Sequence, residues 1–164
     1  MSKDIIAPII LSTKKQNQIL GAIYFQIFNH ISDGGALKLS SALLSCQNLI
    51  NLYLDFSGIY NKISDEGISD IGQGLSKCQY LSFLTLKLSE NFIGNEGIDK
   101  LAGGLSKCNQ LVIFKLDISQ SKKVLQQQAR FISFCLQVIQ MCKSRNIKAK
   151  FQITNFSQRQ LIAF

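Results

Sequence analysis

The residues that build most metal and catalytic centres are scarce in this chain. Histidine occurs once, as His30, and none of the five cysteines belongs to a Cys-x-x-Cys pair, so a zinc site is not expected. A nucleophile elbow and a phosphate-binding glycine loop are also missing. The aspartates are spread over successive segments instead of converging, and we therefore expect neither catalysis nor a cofactor.

Acidic residues and arginine are also few. Ten acidic residues oppose 18 cations, which gives a net charge of +8, but only three of the cations are arginines: Arg130, Arg145 and Arg159. Arginine is better suited than lysine to recognise phosphate or guanine through paired hydrogen bonds. The charge therefore indicates a lysine-rich solvated surface more than a nucleic-acid-binding one.

No segment of the sequence is typical of targeting to a membrane or insertion into one. Residues 1–8 lack a long apolar run and carry an acid at Asp4, which argues against a secretory signal and against an arginine-rich transit peptide. The most apolar stretch, residues 131–141, is too short to span a bilayer. We expect an intracellular, cytoplasmic protein without membrane insertion, and no small-molecule substrate is evident.

One sequence motif occurs twice between Ile63 and Leu116. Residues 63–67 (Ile-Ser-Asp-Glu-Gly), residues 75–78 (Leu-Ser-Lys-Cys) and a run of alternating leucines recur, with small changes, 30 residues later. Self-similarity at a fixed period is the signature of a repeat architecture. Period-two strand patterns begin at Leu20, Leu49, Leu81, Leu111 and Ile147, at intervals of 29, 32, 30 and 36 residues.

Each repeat unit combines one strand with one helix. Successive strands are therefore expected to be parallel, with right-handed crossovers. The 32-residue unit has its extra length in loop 57–61, which is expected to protrude. Asp65 or Asn95 is expected to cap the first turn of its own helix, and Gly67 and Gly97 are expected to allow a close approach of the helix to the sheet. The same tight packing is expected at Gly74, Gly103 and Gly104.

Three cysteines occupy equivalent positions of the repeat, namely Cys46, Cys78 and Cys108. Packed helices lie about 8–10 Å apart, a spacing that exceeds the reach of a disulfide between neighbouring units. We interpret these cysteines as small buried hydrophobic residues in a reducing compartment.

The phrase Cys-x-x-Leu-x-x-Leu-x-Leu-x-Leu, followed by Ile-x-x-x-Gly and Leu-Ser-Lys-Cys, resembles the leucine-rich repeat in its ribonuclease-inhibitor-like subtype. The tandem arrays found in ciliates are similar in particular. The resemblance covers roughly residues 20–119 and implies an α/β solenoid, with a curved parallel sheet of about five strands on its concave face and helices on its convex face. The family asparagine that follows the strand matches at Asn91, whereas Ile59 and Ser121 stand at the corresponding positions of other units.

We expect one structural domain with three segments. Residues 1–19 form an N-terminal cap segment, residues 20–119 form three to four leucine-rich repeat units, and residues 120–164 form an atypical C-terminal segment. This last segment is predicted to contain a long helix over residues 121–143, a last strand from Ile147 and a tail that folds back over the end of the sheet.

The residues between the core leucines of each strand are the candidate binding residues, because in such a fold they line the concave sheet face. Aromatic residues lie toward the first strands and lysines toward the last ones. The candidate partner-binding residues are Tyr24, Phe28, Tyr53, Asp55, Phe83, Lys87, Lys115, Asp117, Lys148 and Lys150.

Several hypotheses follow from this pattern. The first is a non-enzymatic protein-interaction or scaffold module, or an accessory subunit of a larger assembly, in which aromatic anchors and lysines contact a protein partner. The alternative is lysine-mediated RNA association within a ribonucleoprotein. A third interpretation gives the aromatic residues no partner, because cross-strand neighbours can simply cover one another.

Overall fold

The computed structural model describes the backbone of residues 9–15, 18–26, 30–118, 148–155 and 158–163, and the side chains of residues 30–118. In chain order the elements are β1 (Ile9–Lys15), β2 (Gln18–Gln26), α1 (Asp33–Leu44), β3 (Asn51–Asp55), α2 (Asp65–Leu75), β4 (Phe83–Lys87), α3 (Asn95–Leu105), β5 (Ile113–Asp117), β6 (Lys148–Asn155) and β7 (Gln158–Ala163). The helix predicted over residues 121–143 lies outside the described residues.

Strands β3, β4 and β5 form a small parallel sheet in unbroken register, in which Leu52, Leu84 and Phe114 are direct neighbours. Helix α2 packs between α1 and α3. Residues 30–118 thus contain three parallel strands and three helices, an arrangement consistent with a short leucine-rich-repeat-like solenoid.

Backbone pairing continues the sheet on both sides of these central strands. Strand β2 is parallel to β3, and β6 is parallel to β5. At the two ends β1 and β7 run antiparallel to β2 and β6. Strands therefore follow one another across the sheet in the order in which they occur in the chain.

The hydrophobic core lies between the sheet and the helices and consists of the residues that recur from unit to unit. Alternate strand residues are at most 2% exposed, because they face the helices: Leu52, Leu54, Leu84, Leu86, Phe114 and Leu116. Helix α2 contributes Ile68, Ile71 and Leu75, which are fully buried. Burying one such side chain contributes about 1.5–3 kcal/mol, so the repeated pattern supplies most of the packing that holds the units together.

The helix caps differ from the prediction, because each aspartate caps the helix of the next unit instead of its own. Ser64 is the N-cap of α2, and its hydroxyl accepts a hydrogen bond from the Glu66 N–H. Asp65 Oδ1 instead accepts from the N–H groups of Gly94 and Gly97, at the start of α3.

Asp33 makes the equivalent bonds from the preceding unit. Its Oδ1 accepts from the N–H groups of Ser64 (2.7 Å) and Gly67 (3.1 Å), and its Oδ2 accepts from the Ser64 hydroxyl (2.7 Å). These bonds satisfy donors that the helix itself leaves unpaired. Neighbouring units are therefore joined by side-chain hydrogen bonds as well as by apolar packing.

Several helical glycines mark close helix–helix contacts, whereas the prediction was a close approach to the sheet. A Cβ atom at Gly97 would lie 2.8 Å from the Asp65 Cα, and one at Gly104 would lie 2.6 Å from the Gly72 carbonyl carbon. Gly103 differs, because a Cβ there would meet nothing within 4 Å. The expectation of tight packing is wrong for this glycine, which faces solvent.

The asparagine after the strand is present in two units, which corrects the assignment of Ile59 to that position. Asn61 Oδ1 accepts from the Ile31 N–H (3.0 Å), and its Nδ2 donates to the Phe56 carbonyl (2.8 Å). Asn91 makes the equivalent bonds to the Ile63 N–H (3.0 Å) and to the Leu88 carbonyl (3.1 Å). The loop after β3 is longer than the loop after β4, so the asparagine does not lie at the same number of residues after the strand in both units.

Counting backward from the next buried isoleucine gives the correct position. Asn61 and Asn91 each precede that isoleucine, Ile63 or Ile93, by two residues. The extra residues Ile59 and Tyr60 are 66% and 51% exposed, which confirms that this loop protrudes. Ser121, the other residue placed at the asparagine position, lies outside the described residues.

Two of the three equivalent cysteines are buried, as predicted. The Cys78 and Cys108 side chains are at most 1% exposed, whereas Cys46 is half-buried. Their thiols donate to backbone carbonyls of the preceding helix, from Cys78 to Leu43 and from Cys108 to Leu75. Burial raises the pKa of the Cys78 thiol to about 12, so this thiol stays protonated at neutral pH.

Candidate functional site

Six of the ten candidate residues lie on the face of β3–β5 that points away from the core. The strands alternate between buried residues and residues that are exposed or half-buried, so the predicted alternation is confirmed there. Their register forms three rows across the sheet. The N-terminal row is Asn51, Phe83 and Ile113, the middle row is Tyr53, Thr85 and Lys115, and the C-terminal row is Asp55, Lys87 and Asp117.

Three further candidates lie in the flanking strands, where backbone register alone is described. Tyr24 pairs with Tyr53, Lys150 pairs with Lys115, and Lys148 pairs with Ile113. Phe28, the tenth candidate, lies outside the described residues. The sheet therefore brings nine of the ten positions into one set of rows, with Lys148 and Lys150 at the β6 end.

Tyr53, Asp55 and Lys87 form a polar cluster across β3 and β4. The Lys87 ammonium lies 3.2 Å from Asp55 Oδ2 and 5.3 Å from the centre of the Tyr53 ring. The Tyr53 hydroxyl donates to Asp55 Oδ2 at 3.1 Å. Asp55 Oδ1 also accepts from the Ser57 N–H at 3.1 Å. Each member of the cluster therefore has a partner within the sheet face.

The cluster shifts the titration of both charged groups in the direction that favours the ion pair. Burial alone would raise the pKa of Asp55, but hydrogen bonds from Ser57 and the Lys87 charge lower it overall. The pKa of Lys87 is raised by the neighbouring Tyr53 side chain and, further, by Asp55. An opposite charge at hydrogen-bond distance stabilises the ionised form of both groups.

Two members of this cluster were given roles in partner binding by the sequence pattern. Tyr53 was predicted as an apolar anchor and Lys87 as a contact for acidic groups of a partner. In the structure they contact each other and Asp55. Neither the anchor role nor the contact role is tested by this geometry, but both side chains already have interactions that a partner would have to replace.

Of the six candidates whose side chains are described, Phe83 and Lys115 are the most open to solvent. The Phe83 side chain is 44% exposed and stands in register with Ile113, which is half-buried. Lys115 is exposed and follows Ile113 by two residues on β5. Within residues 30–118 the ion pairs join Lys87 to Asp55 and Lys100 to Glu96, and neither involves Lys115.

Two exposed apolar residues near the N-terminal ends of the strands were not among the predicted candidates. Val112 and Tyr80 are 45% and 58% exposed. Val112 immediately precedes the Ile113 of the N-terminal row, and its N–H donates to the carbonyl of Ser82, its counterpart in the preceding unit. The sequence signal for Val112 is that its repeat position holds polar Ser82 in one unit and an apolar residue in the next.

The described region of the chain contains no metal-binding cluster and no membrane-spanning helix. Among its residues no group of three or more His, Cys, Asp and Glu side chains could hold a metal ion. No helix in that region is long and apolar enough to cross a membrane. Outside the sheet face, His30 and Tyr60 form a ring contact with centroids 5.5 Å apart beside the protruding loop.

Comparison with known proteins gave one family match. The model of the Leucine Rich repeat family matches residues 80–102, from the turn before β4 into α3. No curated protein matches the chain. The match supports a leucine-rich repeat protein, whose family in general provides protein-interaction modules without enzymatic activity.

Proposed function

We propose that the protein binds a protein partner through the exposed face of β3–β5 and the strands that continue it. The observation that carries the proposal is the separation of recurring and varying residues. Core leucines recur on one face of the sheet, whereas Phe83, Lys115 and their neighbours in the rows vary from unit to unit on the other. A rigid sheet with an exposed aromatic residue suits a binding hot spot.

The proposal includes a solenoid of about five parallel strands of the ribonuclease-inhibitor-like subtype, similar to the ciliate arrays. Parallel pairing of β2 with β3 and of β6 with β5 supports that number. Residues 1–19 and 120–164 would then be the end segments of one structural domain. Capping or coverage of terminal units is a general requirement of repeat arrays.

We further propose that the protein is a scaffold or an accessory subunit of a larger assembly in a reducing, intracellular compartment. Cys46, Cys78 and Cys108 are free thiols, which supports the reducing setting. A small sheet face that offers few exposed anchors suits a subunit held by several contacts.

RNA association is the less favoured alternative, because the described sheet face has no excess of cations. The two lysines of β3–β5, Lys87 and Lys115, are equalled in number by Asp55 and Asp117. Binding to a phosphate backbone depends on neutralising several phosphates with cations. Lys148 and Lys150 add charge only at the β6 end of the rows.

Cross-linking mass spectrometry with an amine-reactive reagent in native cell extract tests the proposal. The chain carries matched reporters, since Lys115 lies on the sheet face whereas Lys38, Lys77 and Lys107 are exposed on or after the helices. We expect cross-links to a protein partner to concentrate on Lys115. Cross-links confined to the three helix-side lysines would contradict the proposed face, and recovery of RNA in place of a protein would contradict the partner class.

A further inference from the structure

The sheet face separates its charges by row, and this separation bears on what the face can bind. In the C-terminal row Lys87 stands between Asp55 and Asp117, and it pairs with Asp55 at 3.2 Å. The middle row contains Lys115 with neutral Thr85 on one side. On its other side the backbone register places Lys150. Within β3–β5 the acidic residues of the face are thus confined to the C-terminal row.

Lys115 supplies a cation in the middle row with which an anionic group can pair. Its side chain is exposed and takes part in neither ion pair of residues 30–118. An anionic group bound at this position would therefore not have to displace an ion-pair partner among those residues.

An apolar surface adjoins this positive position. Phe83 is 44% exposed, and its row neighbour Ile113 is half-buried on the same face of the sheet. Neighbouring strands lie about 4.8 Å apart, and two residues along a strand span about 6.6–7 Å. The apolar surface and the Lys115 backbone are therefore within two or three residues of an extended peptide.

We propose that this face recognises an extended acidic segment of a partner protein, in which Asp or Glu lies within two or three residues of a large apolar side chain. The apolar side chain contacts Phe83 and Ile113, and the carboxylate contacts Lys115. The proposal rests on the protein-binding function proposed above and adds the chemistry of the bound segment. Nucleic acid needs several cations to neutralise its phosphates, whereas the face of β3–β5 offers Lys115 alone as a lysine outside an ion pair, so a peptide fits better.

A random peptide library displayed on phage tests this chemistry without assuming a sequence. The library is selected on the immobilised full chain and counter-selected on the Phe83→Ser/Lys115→Gln double variant. We expect enriched peptides to place Asp or Glu within three residues of Leu, Ile, Met or Phe. Enrichment of basic or uncharged peptides, or no enrichment over the starting library, would overturn the proposal.

Affinities measured by fluorescence anisotropy provide the quantitative test. For a selected peptide, Lys115→Gln is expected to weaken binding about threefold, the range of an exposed ion pair, and Phe83→Ser about tenfold, from lost apolar contact. The matched controls Lys107→Gln and Ile59→Ser, which change an exposed lysine and an exposed apolar residue outside the face, should leave binding unchanged. Equal losses in the controls, or tighter binding of a single-stranded oligothymidylate than of the peptide, would overturn the proposal.

These outcomes can be separated from failure of the protein-binding proposal itself. A native partner cross-linked at Lys115 that contains no acidic, apolar segment at the contact would leave the binding face intact and refute the segment chemistry. A partner cross-linked only at helix-side lysines would refute the face, whatever peptides the library yields. Circular dichroism of each variant checks that the exposed substitutions leave the fold unchanged.

Discussion

Two adjacent glycines of α3 are expected to respond to the same substitution in opposite directions. A Cβ atom at Gly104 would lie 2.6 Å from the Gly72 carbonyl carbon and 2.9 Å from its Cα. Ordinary contact at such a position begins near 3.4 Å, and the Gly72 carbonyl oxygen lies closer to the added Cβ than the carbonyl carbon does, so α2 and α3 would have to move apart by about 1 Å or more. The obstacle is backbone, which cannot rotate away as a flexible side chain could.

The magnitude follows from two opposing effects. Replacing a helical glycine with alanine favours the helix by about 0.5–1 kcal/mol, whereas overpacking a close contact costs about 1–3 kcal/mol. Gly104→Ala is therefore expected to destabilise the protein by about 1–2 kcal/mol after the two are combined. Gly103→Ala meets nothing within 4 Å and is expected to stabilise the protein by about 0.5–1 kcal/mol.

Urea and thermal unfolding of the two variants, followed by circular dichroism, measure this difference. For a chain of this size 1 kcal/mol corresponds to a shift of about 2–4 °C in Tm. The Tm of Gly104→Ala should therefore fall by several degrees, and that of Gly103→Ala should rise slightly. Equal shifts in the same direction would refute the close approach of α2 and α3.

Three further predictions concern buried polar groups, pH and thiols. Asn91→Ala removes a buried amide that bonds the Ile63 N–H and the Phe56, Leu88 and Ser89 carbonyls. We therefore expect the free energy of unfolding measured in urea to fall by about 2–4 kcal/mol. The exposed Asn109→Ala is the control, and a similar loss in that variant would contradict the role of Asn91. Because the pKa of Asp55 is lowered from its ordinary value of 3.8, its stabilising effect is present above that pH and lost as pH falls through the folded pKa. The difference in free energy of unfolding between the native chain and Asp55→Asn should therefore become smaller in acid. A difference that became larger there would exclude the ion pair with Lys87. Iodoacetamide at mildly alkaline pH should modify half-buried Cys46 well before Cys78, because burial raises the pKa of the Cys78 thiol to about 12. Equal rates of modification, measured by peptide mass spectrometry, would contradict the packing of Cys78.

The repeat pattern was enough to predict the central fold, because leucine alternation and unit length are local properties of the sequence. It places Leu52, Leu84 and Phe114 in one core row, as the structure does. The same pattern could not show that Asp33 and Asp65 cap the helix of the following unit. That contact depends on how closely successive helices approach, which a single unit does not encode.

The candidate face was predictable as a set of positions but not as a set of interactions. Alternation placed Tyr53, Asp55 and Lys87 on the open side of the sheet. Whether these residues are free for a partner or contact one another depends on register and on rotamers, and the structure pairs Lys87 with Asp55 and places it over the Tyr53 ring. Asn61 was missed for a different reason, since the longer loop after β3 moves it away from the expected count.

The measurement that tests the proposed face most directly is the affinity of the cross-linked native partner for three forms of the protein. Isothermal titration calorimetry compares the native chain, the Phe83→Ser/Lys115→Gln variant and the Ile59→Ser/Lys107→Gln control. We expect the sheet-face variant to lose at least tenfold in affinity, about 1.4 kcal/mol, and the control to bind as the native chain does. Full binding by the sheet-face variant, with an unchanged fold, would contradict the proposal that this protein acts through the open face of its parallel sheet.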